Sequence, residues 1–154
     1  MENSHDNIDI TPESKIALRR AIVNESGKLL GIPYEFGAEW TDYSKSPISL
    51  DCSELVEGVF HLVKLELPDG AQNQYNSTVF TDTPRPGDLA FFGRSKDPSK
   101  IYHVGIVYDE KNIVEARGYD PTSNFETGKV ILRERVYWDR WKNFCGYRSH
   151  KKLV

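Results

Sequence analysis

Cys52 is the residue best placed to act as a nucleophile in this sequence. The spacing of the residues after it predicts a helix that starts at Leu50 or Asp51, with Cys52 in its first turn. A thiol at that position faces unpaired backbone N–H groups and the positive end of the helix dipole, and both favour the thiolate. The same N–H groups could stabilise an oxyanion. A small buried side chain without a chemical role is the alternative.

His103 is the candidate general base. It lies in a predicted strand, where alternation places it on one face with Ile101, Gly105 and Val107. Gly105 has no side chain, so another element could approach the imidazole closely. A histidine with a purely structural role is the alternative interpretation.

Glu115 is the candidate that orients this imidazole. Residues 109–111 have the composition of a hairpin tip between predicted strands at 102–108 and 112–117. A register centred on Asp109 places Glu115 directly opposite His103, and any odd-length loop keeps the two on one face. A carboxylate there would fix the tautomer and stabilise the imidazolium. The alternative is a surface ion pair between Glu115 and Arg117.

The elements that must position these residues follow from capping signals and periodicity. Thr11-Pro12-Glu13 predicts the start of a first helix that continues to about Leu30. The second helix carries a full apolar stripe and ends at Pro68. Strands are predicted at residues 88–92, 102–108, 112–117, 129–133 and 144–148. Helices followed by consecutive strands indicate an α+β fold with N-terminal helices packed on an antiparallel sheet.

Composition excludes several classes of protein. The chain has 154 residues, about one domain, and a net charge of -3, which favours neither nucleic acid nor an anionic membrane as a partner. Two cysteines do not make a disulfide framework, and Cys145 is expected to pack in the last strand. The start of the chain shows no signal peptide pattern. The basic residues 148–152 are expected to form a solvated tail.

Four segments together resemble one known family. Residues 51–56 read D-C-S-E-L-V and are similar to the D-C-S-G-L-V helix start of NlpC/P60 cysteine peptidases, with Glu54 in place of glycine. Residues 33–37 resemble the P-Y-x-x-G-G segment of that family. Residues 86–92 match its P-G-D-L-x-F-F strand, and residues 103–106 match its H-V-G-I strand. The segments occur in the family's order and at similar spacing.

This resemblance implies a papain-like core that hydrolyses peptide bonds in the stem peptides of bacterial peptidoglycan, typically between D-glutamate and a diamino acid. Cys52 would be the nucleophile, His103 the general base and Glu115 the third polar residue, where the family commonly has histidine. Tyr34, Asp51 and Ser53 would line the pocket and bind substrate. No cofactor and no metal is expected, although the three catalytic candidates are all residue types that bind zinc.

Residues 1–10 are predicted to be a polar extension and residues 11–154 a single catalytic domain. A lone catalytic domain without an export signal resembles bacteriophage lysis or tail-associated enzymes. That likeness predicts synthesis in the cytoplasm, followed by incorporation in a virion or release to the cell wall. Two other functions remain open: a cysteine amidase or acyltransferase with another substrate, and a non-catalytic phage tail module on the same scaffold.

Overall fold

The first two helices begin where the sequence provides a capping side chain. A computed structural model describes residues 10–154, so nearly all of the predicted polar extension lies outside the described residues. Helix α1 spans Pro12–Gly27, and the Thr11 side chain accepts a hydrogen bond from the Ser14 N–H. Helix α2 spans Cys52–Leu62, and Asp51 caps it in the same way through the Glu54 N–H. Two shorter helices follow, α3 at Ala71–Asn76 and α4 at Arg135–Asp139.

Six strands form one antiparallel sheet. They are β1 (Val79–Thr81), β2 (Leu89–Gly93), β3 (Ile101–Val107), β4 (Asn112–Arg117), β5 (Lys129–Glu134) and β6 (Phe144–Ser149). Their order across the sheet is β1-β6-β2-β3-β4-β5, so the central strands β2 and β3 are paired on both sides. The α+β class predicted from the order of helices and strands is confirmed.

Both faces of the sheet are covered. Alternate residues of β2 divide between two apolar clusters: Leu89 and Phe91 pack with α1 and α2, whereas Ala90 and Phe92 pack with Trp138 of α4. Strand β4 divides in the same way, since Val114 and Ala116 face the long helices and Ile113 faces Trp138. Because Glu115 alternates with Val114 and Ala116, it lies on the Trp138 face.

The structure differs from the sequence predictions in three places. Strand β1 and helix α4 were not predicted, because both are short and lack a clear periodic pattern. The expected solvated tail at 148–152 holds for Lys151 and Lys152, which are exposed, but is wrong for Ser149 and His150, which are buried; His150 Nε2 lies 2.9 Å from the carbonyl oxygen of Glu66. A register shift between Phe92 and Gly93 explains why Ile101 packs with the helix-side cluster and not beside His103.

A buried ion pair joins the first helix to the sheet. Arg19 Nη1 donates to Asp88 Oδ1 over 2.9 Å, and the Ser149 hydroxyl donates to the same oxygen over 2.6 Å. Asp88 therefore connects α1, the start of β2 and the end of β6. None of the helices in residues 10–154 combines the length and the apolar character needed to cross a bilayer.

Candidate active site

A cleft of about 650 Å³ separates the N-terminus of α2 from the start of β3. Its lining includes all five residues predicted for the catalytic pair and the substrate pocket: Tyr34, Asp51, Cys52, Ser53 and His103. The loop before α2 and the first residues after β4 contribute to its walls through Tyr34, Phe36, Gly118 and Asp120. Glu115 does not line the cleft and lies beneath His103.

Cys52 occupies the first position of α2, as the sequence predicted. Its side chain is 9% exposed, and Sγ lies 3.7 Å from the carbonyl oxygen of Tyr102 on β3. The Asp51 cap uses the Glu54 N–H, which leaves the earlier N–H groups of the helix without intrahelical acceptors. The sulfur therefore lies beside backbone donors that can stabilise negative charge.

His103 lies between an acid and the thiol. Its Nε2 is 2.7 Å from Glu115 Oε1, so Nδ1 is the ring nitrogen available to Cys52. Burial acts to lower the pKa of His103, but hydrogen bonds to Cys52 and Glu115, together with their charges, raise this pKa to about 9. The imidazole also stacks on Trp138, with ring centroids 5.6 Å apart. This arrangement favours the imidazolium form.

Glu115 is fully buried and surrounded by donors and cations. Besides His103, Trp138 Nε1 donates to its Oε2 over 3.2 Å, and the guanidinium groups of Arg117 and Arg133 lie 3.5 and 3.8 Å from its oxygens. Burial alone would raise the pKa of Glu115, but the His103 hydrogen bond and the three positive charges lower it. The surface pair considered as the alternative is therefore wrong, because the carboxylate is inside the protein.

The predicted β3–β4 register is shifted by two residues. Ile106 pairs with Val114 and Val107 with Ile113, so continuing the ladder places Glu115 opposite Gly105 and not opposite His103. The shift keeps an odd-length loop, so His103 and Glu115 still share a face and meet diagonally. A Cβ added at Gly105 would lie 2.7 Å from Ile113 Cγ2 on β4 and 3.0 Å from the Trp138 ring. Gly105 thus makes room for Trp138 and not for the thiol-bearing helix.

The three predicted substrate-binding residues differ in how free their side chains are. The two Asp51 carboxylate oxygens accept hydrogen bonds from the N–H groups of Glu54 and Gly37, so Asp51 holds the backbone around the nucleophile. Tyr34 is placed by a bridge to Leu50. Burial, followed by the charges of Cys52 and Asp51, raises the pKa of Tyr34. Ser53 also lines the cleft.

Glu54, which replaces the glycine of the family motif, points away from the cleft. Its Oε1 accepts a 2.7 Å hydrogen bond from the Trp40 N–H, and this bond holds the loop before α2 against the helix. Within residues 10–154, one group of acids is spaced to hold a metal ion. The carboxylate oxygens of Glu54, Glu57 and Asp69 lie within 4.8 Å of one another. Cys52, His103 and Glu115 do not form such a group in that range.

Trp138, Arg117 and Arg133 belong to the site but were not recognised in the sequence as catalytic neighbours. Trp138 is fully buried, and its Nε1–H donates to Glu115. Arg133 of β5 pairs with Ile113 of β4 and lies diagonally across from Glu115, a contact that only the sheet register reveals. Cys145, in contrast, lies outside the cleft, and burial raises the pKa of its thiol.

Comparison with known proteins identifies the family. The family model described as NlpC/P60 matches residues 31–141. "Probable endopeptidase p60" of Listeria grayi is 36% identical over 109 residues, which cover 70% of this chain and 20% of that protein. "Bifunctional muramidase/DL-endopeptidase CwlT" of Bacillus subtilis is 34% identical over 87 residues, 55% of this chain and 25% of that protein. This chain thus matches about a fifth to a quarter of the length of these relatives.

A solved structure gives the same result for the fold. A lipoprotein-like NLP/P60 family protein of Staphylococcus aureus superposes with a TM-score of 0.64 at 25% identity, over 93% of this chain and 43% of that one. The helices on an antiparallel sheet are thus the papain-like architecture of such domains. With the family model matching most of the sequence, this chain belongs to the NlpC/P60 family.

Proposed function

We propose that this protein is a cysteine endopeptidase that hydrolyses stem peptides of bacterial peptidoglycan, at the bond between D-glutamate and a diamino acid. The observation that carries the proposal is the alignment of an acid, an imidazole and a thiol: Glu115 lies 2.7 Å from His103, whose other nitrogen is free for Cys52 at the floor of an open cleft. The names of two relatives, an endopeptidase and a DL-endopeptidase, support this substrate class.

The proposed reaction has two stages. Cys52 loses its proton to His103 and attacks the carbonyl carbon of the scissile bond, while N–H groups at the start of α2 stabilise the oxyanion. His103 then gives the proton to the departing amine as the C–N bond breaks, which leaves a thioester on Cys52. A water molecule, deprotonated by His103, then attacks the thioester carbon; the C–S bond breaks, the acid product leaves, and His103 returns the proton to the Cys52 sulfur. Glu115 orients the imidazole and stabilises its charged form.

The competing function is that of a non-catalytic binding module with the same fold. A binding module does not need a charged carboxylate buried behind an imidazole, since burying such a group costs free energy unless it is paired. In this protein the buried carboxylate and its partners converge on the ring that faces Cys52. This concentration of charge next to the thiol favours catalysis.

The test uses purified peptidoglycan and three variants. Cys52→Ala and His103→Ala are expected to abolish hydrolysis while circular dichroism shows an unchanged fold. Cys145→Ala is the matched control, because it removes the other thiol outside the cleft, and it is expected to keep wild-type activity. Mass spectrometry of the products identifies the bond from the new termini. Full activity of Cys52→Ala, or products cut in the glycan strand, would overturn the proposal.

A further inference from the structure

Arg117 is a charged cleft residue to which the proposed reaction assigns no role. It ends β4, its side chain is 17% exposed, and it lines the cleft together with Cys52 and His103. Its guanidinium carbon lies 5.1 Å from the ring centre of Trp141 and 5.4 Å from that of Phe125. Contacts with two aromatic rings limit the movement of the guanidinium, so its charge is held in place at the cleft wall.

Glu115 does not fully neutralise the positive charge of Arg117. That carboxylate already has closer partners in His103 at 2.7 Å and Trp138 at 3.2 Å, and its contact with Arg117 is 3.5 Å long. Arg133 adds a second guanidinium at 3.8 Å. Two arginines against one carboxylate leave an excess of one positive charge even when His103 is neutral. Of the two arginines, Arg117 reaches the cleft and Arg133 does not.

The acids that share the cleft are already engaged with other groups. Asp51 accepts hydrogen bonds from two backbone N–H groups at the start of α2. Asp120 is half-buried, and hydrogen bonds from the hydroxyl and N–H of Thr122 to one of its oxygens lower its pKa, with a smaller contribution from the charge of Arg117. Neither acid makes an ion pair with Arg117 within residues 10–154. The guanidinium therefore retains donors for an anion in the cleft.

We propose that Arg117 is a specificity residue that binds a free carboxylate of the substrate beside the scissile bond. This inference rests on the function proposed above. A D-glutamyl residue linked through its side-chain carboxyl keeps a free α-carboxylate close to the reacting carbonyl. A diamino acid such as diaminopimelate carries a second, distal carboxylate on the other side of the bond. Both offer the planar pair of oxygens that a guanidinium binds with two parallel hydrogen bonds.

Four synthetic stem peptides separate these two sources. One has both carboxyl groups free, one is amidated at the glutamate α-carboxyl, one is amidated at the distal carboxyl of the diamino acid, and one is amidated at both. For the wild-type protein, amidation of the carboxyl that Arg117 binds is expected to lower kcat/KM about 10- to 100-fold, mainly through KM. Amidation of the other carboxyl is expected to have little effect.

Arg117→Gln is expected to hydrolyse free and amidated peptides with similar kcat/KM, because the charge that distinguishes them is gone. Arg133→Gln is the matched control: it removes the other guanidinium near Glu115 without touching the cleft, so it is expected to keep the wild-type preference whatever its overall rate. Arg94→Gln removes the second arginine of the cleft wall and is also expected to keep the preference. Thermal unfolding of each variant establishes that it is folded.

Three results would overturn the assignment to Arg117: equal rates of the wild-type protein on all four peptides, retention of the preference by Arg117→Gln, or its loss in Arg94→Gln or Arg133→Gln. The first result needs no variant, so the assignment is testable even if Arg117→Gln does not fold. Failure of the wild-type protein on every peptide and on peptidoglycan would instead contradict the proposed function.

Discussion

Glu115 and Glu57 are both partly or fully removed from solvent, and the charge state that results differs between them. Glu115 lies against His103, Arg117 and Arg133, and its pKa is lowered. In the acidic cluster of Glu54, Glu57 and Asp69, burial and then the charges of Glu54 and Asp69 raise the pKa of Glu57 to about 7. One Glu57 oxygen is buried without a hydrogen-bond partner in residues 10–154.

The comparison shows that burial alone does not decide the charge of an acid. Burial is the largest influence on both Glu115 and Glu57, and in both it favours the neutral form. The charges acting on Glu57 come from other acids, whereas those acting on Glu115 come from cations. Nearby cations and donors thus keep Glu115 ionised, as its proposed role beside the imidazole requires.

Glu115→Gln is expected to have the largest effect. The variant keeps the shape of the side chain but removes the charge that stabilises the His103 imidazolium, so kcat/KM is expected to fall about 10- to 100-fold. Steady-state kinetics on a stem peptide measure this loss. Glu57→Gln makes the same chemical change in the acidic cluster, outside the cleft, and is expected to stay within about twofold of wild type. Equal activity of Glu115→Gln and wild type would remove Glu115 from the mechanism.

The stability that His103 provides is expected to depend on pH. Its pKa in the folded protein is about 9, above the ordinary value of 6.5, so the folded state binds the proton more tightly than the unfolded state. This stabilisation is fully present below about pH 6.5 and is lost as pH rises through about 9. Its full size is on the order of 3 kcal/mol.

Urea unfolding of the wild-type protein and of His103→Gln between pH 6 and pH 10 measures this effect. The wild-type advantage in the free energy of unfolding is expected to be largest at pH 6 and to shrink toward pH 10. A difference between the two proteins that stays constant over this range would mean that the imidazolium is not stabilised by Glu115 and Cys52.

Glu57→Gln is expected to change the stability of the fold less than His103→Gln does. At alkaline pH it is expected to raise the stability and not to lower it. The pKa of Glu57 is raised from 4.5 to about 7, so the wild-type protein loses stability as pH rises between these values and keeps the loss above them. Glutamine removes the charge, so at pH 8 the Tm of the variant is expected to exceed that of wild type by about 2–5 °C. At pH 4.5 this charge-dependent advantage is expected to disappear. A variant less stable than wild type at pH 8 would contradict this account of the acidic cluster.

Much of the framework was predictable because it depends on local signals. The Asp51 cap and the apolar stripe after it placed the start of α2 within one or two residues, and strand β4 was predicted with the observed bounds. The short helix α4 was not predicted, because its five residues carry no cap and no clear period. The C-terminal segment was misjudged for another reason: its basic composition indicates exposure, yet the side chains of His150 and Ser149 bond to the Glu66 carbonyl and to Asp88.

The candidate residues were found from residue type, and the contact between His103 and Glu115 was expected, but the other groups around Glu115 were not. An odd-length hairpin loop was enough to place His103 and Glu115 on one face, although the predicted register was two residues off. The register depends on how the loop closes and on the fit of Trp138 over Gly105. Arg133 and Trp138 lie far from His103 along the chain, so no local pattern reveals that they surround the same carboxylate.

By itself the sequence determined the α+β class, the position of Cys52 at a helix start and the shared face of His103 and Glu115. These depend on the periods of helix and strand and on capping, which act over a few residues. Only the tertiary structure decided which acid keeps its charge: Glu115 meets cations brought from other strands, and Glu57 meets further acids. The reason is that electrostatic interactions depend on distance in space, which sequence separation does not fix.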